Sequence, residues 1–155
     1  MVGRGKISAI SVSAEKGVPK SNVAHARLIE NWGIEGDAHA GNWHRQVSLL
    51  SIESMATIRA LGLDVQPGDF AENITMQDVD LTALHIGDEL VVGDCKLEIT
   101  QIGKVCHSRC SIYARVGDCV MPREGLFARV IRGGTIRVGD PVEAITAVSA
   151  ASRQE

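Results

Sequence analysis

A chain of 155 residues with 45% hydrophobic and 23% charged residues is long enough for one domain with its own core, burying about 70% of the surface its unfolded form exposes. No apolar run approaches the ~20 residues of a membrane-spanning helix, and a net charge of −3 argues against a general nucleic-acid-binding domain. Membrane and nucleic-acid partners are set aside. The expected organisation is a single domain over residues 1–145 followed by a small, polar, flexible tail, "TAVSAASRQE".

The N-terminus, "MVGRGKISAISVSAEKG", alternates polar and apolar residues and lacks the continuous apolar stretch of a secretory signal, so a cytoplasmic location is expected. In a reducing compartment Cys95, Cys106, Cys110 and Cys119 are thiols, suited to metal binding or chemistry more than to a disulfide framework.

Residues 6–14, "KISAISVSA", carry the period-two pattern of a half-buried strand. "GVPKSN" is turn chemistry, and "VAHARLIENWGIEGDAHAG" predicts a strand followed by a loop rich in glycine and acids. "RQVSLLS" predicts a strand that runs into a helix over "SIESMATIRALG". There Ser51 is the cap, Ile52, Met55, Ile58 and Leu61 form the apolar face, and Gly62 is the stop. After the loop "QPGDFAEN" a strand is expected around "NITM". Two more follow in "LHIGDELVVGDCKLEITQIG", joined through Gly93-Asp94 as a tight hairpin. "GGTIRVGDPVEAI" repeats the turn-then-strand rhythm of "IGDEL", although two copies of five residues are too short for an internal repeat. Many short strands separated by Gly-Asp turns predict a mainly β domain with few helices, a barrel or strongly bent sheet.

The chemistry concentrates after the second hairpin strand. Between Gln101 and Arg137 stand Lys104, Arg109, Arg115, Arg123, Arg129, Arg132 and Arg137 against Asp118 and Glu124, a local excess of positive charge in an acidic chain. Such a segment suits an anionic ligand. Cys106 and Cys110, spaced Cys-x3-Cys just past a strand end, present two thiols to one site. Lys104 and Arg109 beside them favour thiolates, for coordination or for nucleophilic attack. Molybdenum, copper(I), zinc and iron–sulfur centres all accept thiolates, so ligand type alone does not choose among them. Cys95 and Cys119 fit core positions.

Two further groups stand out. His39 and His44, with Asp37 and Arg45 nearby, could join Cys106 and Cys110 in a Cys2His2 zinc site, making the chain a non-catalytic zinc-stabilised binding module. Against that reading, some sixty residues separate the two half-motifs. Arg123, Arg129 and Arg132 accompany the Gly133-Gly134 pair, which suits either close approach of a phosphate or a simple turn. The absence of G-x-G-x-x-G, Walker A and H-E-x-x-H patterns disfavours dinucleotide, nucleoside triphosphate and zinc-protease functions.

Four stretches in order, "GDAHAGNWHRQVSLLS", "PGDFAENITMQDVDL", "IGDELVVGDCKLEITQIGKVCHSRC" and "MPREGLFARVIRGGTIRVGDPV", resemble a MOSC domain. This is the C-terminal domain of molybdenum cofactor sulfurase, found also in stand-alone bacterial proteins and in the amidoxime-reducing components. The resemblance implies a closed or partly open β-barrel-like fold that binds a molybdopterin-type molybdenum cofactor, one cysteine ligating the metal or carrying sulfur as a persulfide. The "SRC" context of the amidoxime-reducing members selects Cys110, and the spacing from "TQ" in other stand-alone members selects Cys106. The resemblance further implies that His44, Arg45, Asn73, Arg109, Arg123, Arg129 and Arg132 hold the cofactor. The implied activities are sulfur transfer or molybdenum-dependent reduction of a small substrate. Lacking a counterpart of the sulfurase's desulfurase domain, the chain is expected to use no pyridoxal phosphate and to depend on a separate sulfur or electron donor protein.

Overall fold

The computed structural model describes residues 4–15, 20–62, 64–103 and 125–145. In chain order the strands are β1 (Arg4–Val12), β2 (Ser21–Val23), β3 (His25–Ile29), β4 (Gly33–Ile34) and β5 (Val47–Ser51). Then come helix α1 (Ile52–Ala60), β6 (Ile74–Gln77), a 3-10 turn (Leu81–Ala83), β7 (Glu89–Val92), β8 (Cys95–Ile102), β9 (Leu126–Arg132), β10 (Gly134–Arg137) and β11 (Pro141–Ile145). Strand β1 ends earlier than its alternation predicts because Ser13 turns its N–H to the Asp37 carboxylate instead of to a neighbouring strand.

Seven strands close into a barrel in the order β11-β7-β8-β9-β5-β6-β1, with β1 pairing back onto β11 and β2 continuing from β1. Closure removes the open edges that a flat sheet of this width would leave. Strands β10, β3 and β4 form a small second sheet. The barrel is filled by Ile7, Ile10, Val47, Leu49, Ile74, Met76, Leu90, Val92, Cys95, Leu97, Ile99, Ala128, Val130 and Val142, all buried. Cys95 thus fills core, as expected from its strand position, and burial, the largest influence, pushes its thiol pKa up.

The pairing of β5 with β6 is parallel, so the chain must cross over between them, and α1 lies in that connection. Ser51 caps the helix, its hydroxyl accepting from the Ser54 amide at 3.0 Å. Met55 and Ile58 face a second cluster outside the barrel with Leu50, Val65, Phe70 and Phe127. Leu61 was expected on that face but is exposed, because the helix ends at Ala60 and the capping residue leaves the apolar stripe. The β7–β8 hairpin turns through Gly93-Asp94, with Val92 opposite Cys95.

Two irregularities position the candidate site. In β8 the register against β9 shifts between Ile99 and Gln101. Cys95, Leu97 and Ile99 point into the barrel, and an unbroken alternation would send Gln101 inward with them. The bulge instead places Gln101 opposite Phe127, which packs outside. At the start of β4, Gly33 has φ +128° and its missing Cβ would stand 2.7 Å from the carbonyl oxygen of Gln46, the residue before β5, so a side chain there would push the two segments apart.

The loop between α1 and β6 closes on a buried carboxyl group. Gly68 and Phe70 donate their N–H groups to Glu72 Oε1 at 3.0 and 3.2 Å. Burial nevertheless raises the Glu72 pKa from 4.5 to about 7, outweighing those bonds. The folded chain therefore keeps this proton to higher pH than the unfolded chain. The group's contribution to stability is full below about pH 4.5, declines as the pH climbs towards 7, and is lost above it. Glu72→Gln is expected to flatten the fall in denaturation midpoint between pH 5 and pH 7; an unchanged slope would remove the assignment.

Candidate functional site

Strand β8 ends at Ile102, and the next described residue after Gly103 is Gly125, one residue before β9. The Gly103 N–H donates to the Gly125 carbonyl at 2.6 Å. The two ends of the segment that carries Cys106 and Cys110 are therefore tied together at one end of the barrel. Cys106, Arg109, Cys110, Cys119 and Arg123 themselves lie outside the described residues.

Beside this tie stand His44 and Arg45. Gln101 donates its amide N–H to the Gly103 carbonyl at 2.8 Å, which fixes which end of the amide is oxygen. That oxygen lies 2.8 Å from His44 Nε2 and 2.9 Å from Arg45 Nε, and accepts from both. The Thr100 hydroxyl, on the bulge residue, donates to the His44 carbonyl. The Arg45 guanidinium sits 5.2 Å above the Phe127 ring and 6.0 Å from the Trp43 ring, within the range of a cation–π attraction. His44 meets Trp43 edge-on, 6.0 Å between ring centres. Among the described residues the Arg45 Nη groups make no hydrogen bond or ion pair. The pair thus presents a braced cation and an exposed imidazole at the barrel end.

The loop that carries them is anchored from below by a buried ion pair. Lys20 Nζ lies 2.9 Å from Asp37 Oδ1, and neither side chain is exposed. Asp37 also accepts the N–H groups of Ser13 and His39 at 3.0 and 2.9 Å. Burial works against its charge, but the His39 and Lys20 side chains and the two amides outweigh it and hold Asp37 well below the ordinary carboxylate range. His39 Nδ1 is buried 3.6 Å from Asp37 Oδ2, too far for a hydrogen bond. The His39 carbonyl accepts the Trp43 indole N–H at 2.7 Å.

The other residues implicated by sequence are placed differently. Asn73 is wholly buried: its Oδ1 accepts from the Ser48 amide and hydroxyl at 2.9 and 3.1 Å, and its Nδ2 donates to the Ser11 carbonyl at 3.1 Å. Its side chain braces β5 and β1 where pocket lining was expected. Asn73→Ala is expected to destabilise the chain by about 1–3 kcal/mol, because the buried Ser48 amide loses its partner; urea denaturation checks this. Arg129 shares the outer face with Phe127 but gives its Nε to Glu98 at 2.7 Å. Arg132 lies at the far end of β9, its Nε on the Asp94 carbonyl at 2.9 Å. Gly133 approaches backbone: a Cβ there would meet the Leu28 carbonyl at 2.5 Å. For the zinc reading, no three His, Cys, Asp or Glu side chains converge on a metal-sized site among the described residues. His44 Nε2 is engaged by Gln101 and His39 Nδ1 faces Asp37.

A separate cavity of about 500 Å³ opens at the start of α1, lined by Ser51, Glu53, Asp78, Asp80 and Thr82 among others. Its three carboxylates would repel an anion. Gln101, Phe127 and Lys20 were not singled out by sequence reading. Asp37 was, in the glycine-flanked "GDAHAG" with His39 and His44 nearby, but its pairing with Lys20 was not.

Solved structures share this fold. The YUAD protein from Bacillus subtilis superposes with a TM-score of 0.78 at 19% identity, covering 92% of this chain and 96% of that one. YiiM from Geobacillus stearothermophilus gives 0.67 at 18%, covering 91% and 75%. YiiM from Escherichia coli gives 0.62 at 18%, covering 95% and 76%. No curated protein matches the sequence significantly. Among the described residues no helix is long and apolar enough to cross a membrane. With the barrel and its His44–Arg45 end in view, the match of the MOSC domain model to residues 36–143, well over half of the sequence, shows that the chain belongs to the MOSC domain family.

Proposed function

We propose that the chain binds a molybdopterin-type molybdenum cofactor at the barrel end where Gly103 and Gly125 meet. The observation that carries this reading is the braced Arg45 guanidinium: its Nε is tied to Gln101, its face lies on Phe127, and it stands beside the root of the cysteine segment. A guanidinium so held forks onto a phosphate oxygen pair at little cost in side-chain freedom. The donor set fits such a guest, with a cation and an imidazole for its anionic end. Cys106 is three residues from Gly103, a contour of about 11 Å, which bounds how far along the chain this candidate soft ligand stands from the tie.

In this reading His44 and Arg45, with Arg109 and Arg123, hold the anionic end, and Cys110 or Cys106 supplies the sulfur. Bound there, the cofactor would contribute a soft metal able to take a thiolate and to change oxidation state. The activity is transfer of sulfur carried on the cysteine, or reduction of a small oxidised substrate. Either needs a separate donor protein, for sulfur or for electrons.

Metal and pterin analysis of protein freshly purified from a cofactor-competent host tests the reading. Pterin is expected in the wild type and lost in Arg45→Met, and the Cys106→Ala, Cys110→Ala double variant is expected to lose the sulfur-linked component. Stoichiometric molybdenum would assign the reductase activity, and persulfide on a cysteine without retained metal would assign sulfur transfer. Protein that never acquires pterin or molybdenum, with no persulfide, would overturn the proposal.

A further inference from the structure

The bulge in β8 brings one glutamine oxygen between two cationic or neutral nitrogen donors, and this has a chemical consequence for His44. The Gln101 amide cannot be turned over, because its N–H side is committed to the Gly103 carbonyl at 2.8 Å. Its oxygen is an acceptor only. His44 Nε2, 2.8 Å away, must therefore carry a hydrogen, and in the neutral ring the lone pair falls on Nδ1. The carbonyl of His44 is held by the Thr100 hydroxyl, so backbone and ring are both fixed to β8. The Arg45 Nε shares the same glutamine oxygen at 2.9 Å, which locks the two residues into one relative arrangement.

We infer that Gln101 is a positioning residue that sets His44 as the Nε2–H tautomer, so that His44 Nδ1 is the hydrogen-bond and proton acceptor of a site whose anion-binding partner is Arg45. The inference deepens the proposed function and rests on it for the identity of the natural ligand, but not for the tautomer. The ligand class is a small anion that carries an O–H or N–H next to its charged group, as a monoprotonated phosphate does. One oxygen meets the guanidinium while the neighbouring O–H donates to Nδ1. A ligand without that donor, such as sulfate, leaves Nδ1 unpaired and is expected to bind more weakly. Because the imidazole is exposed and hydrated without a ligand, the preference is the net worth of one hydrogen bond, roughly 10-fold or less. Arg45, Gln101 and Trp43 are the groups that surround the imidazole among the described residues.

The test uses the whole chain without cofactor. Long-range nitrogen–proton NMR at pH 8 is expected to show His44 with hydrogen on Nε2 and a bare Nδ1. A bare Nε2 would overturn the inference, whatever the fate of the cofactor proposal. Titration with inorganic phosphate and with sulfate supplies the second reading. Wild type is expected to prefer phosphate at pH 8, the pH of the NMR measurement, where the monoprotonated anion still carries an O–H. Gln101→Leu is expected to lose that preference and to weaken phosphate binding by roughly 10-fold, the effect of one charge-assisted hydrogen bond, with its melting temperature nearly unchanged. Gln101→Glu keeps an acceptor for both neighbours and is expected to restore the wild-type tautomer. Equal binding of the two anions by wild type, or phosphate affinity unaltered in Gln101→Leu, would refute the ligand assignment. If the tautomer holds and molybdopterin is absent, the cofactor reading fails alone.

Discussion

Lys20→Met is expected to destabilise the protein by about 3–5 kcal/mol and to lower its melting temperature by roughly 10 °C. The reason is the state in which it leaves Asp37. Both side chains of the pair are wholly buried, and the carboxylate meets the lysine at 2.9 Å. Removing the lysine strands a negative charge that burial already opposes. The carboxylate cannot simply take up a proton without loosening the Ser13 and His39 amides that end β1 and start the His39–Arg45 loop. Removing both charges should hurt less: Lys20→Met combined with Asp37→Asn leaves no stranded charge and keeps an acceptor for one of the two amides, which bond to different oxygens, so it is expected to recover part of the loss. Because Asp37 is held below the ordinary carboxylate range, its contribution is present at neutral pH and is lost as the pH falls through the acid range. The acid limb of the wild-type stability curve should therefore be steeper than that of the double variant. A Lys20→Met protein within about 1 kcal/mol of wild type would show that water reaches the pair.

How far the sequence led depends on the range over which each feature is decided. The Gly93-Asp94 hairpin and the Ser51 cap are set by residues a few positions apart, and the structure has them where the pattern put them, whereas β1 ends earlier than its alternation predicts. The barrel itself was legible as a class, since short strands at turn-length spacing leave few other ways to hide their edges. Barrel order and the small β10-β3-β4 sheet depend on partners well over a hundred residues apart, such as Arg4 opposite Glu143 and His25 opposite Arg137, and no local signal orders them. His44 and Arg45 were visible as residues worth testing, through the family resemblance more than through spacing. Gln101 was not visible, because period-two reasoning sends it into the barrel with Leu97 and Ile99, and only the bulge at Thr100 turns it outward. Asn73 shows the opposite failure. A polar residue in a conspicuous motif invites a ligand role, yet its hydrogen bonds close entirely on Ser48 and Ser11. The cysteines at the centre of the sequence argument lie outside the described residues, so their part in the site rests on chain connectivity to Gly103 and Gly125.

Phe127→Ala carries the other large expected effect, and it reaches both stability and ligand binding. The ring is buried in the outer cluster with Leu50, Met55, Ile58, Val65 and Phe70, where it backs helix α1. Truncating a buried phenylalanine costs about 3–5 kcal/mol when the site cannot collapse, and here the closed barrel on one side leaves little room to do so. The same ring is the floor under Arg45, at 5.2 Å, and lies 6.2 Å from the His39 ring. Phe127→Leu separates the two roles. It retains most of the apolar volume, so the stability loss should shrink to less than about 1.5 kcal/mol, but it removes the aromatic face that attracts the guanidinium by roughly 0.5–1 kcal/mol. Phosphate binding is accordingly expected to weaken about 2- to 5-fold in Phe127→Leu, less than in Gln101→Leu, because the hydrogen bond to Gln101 still orients Arg45. Denaturation and phosphate titration on the same three proteins give the comparison. If Phe127→Leu binds phosphate as wild type does, the ring serves packing alone and the Gln101 oxygen is the whole of what aims Arg45; if it binds as poorly as Gln101→Leu, the guanidinium depends on its floor as much as on its side support.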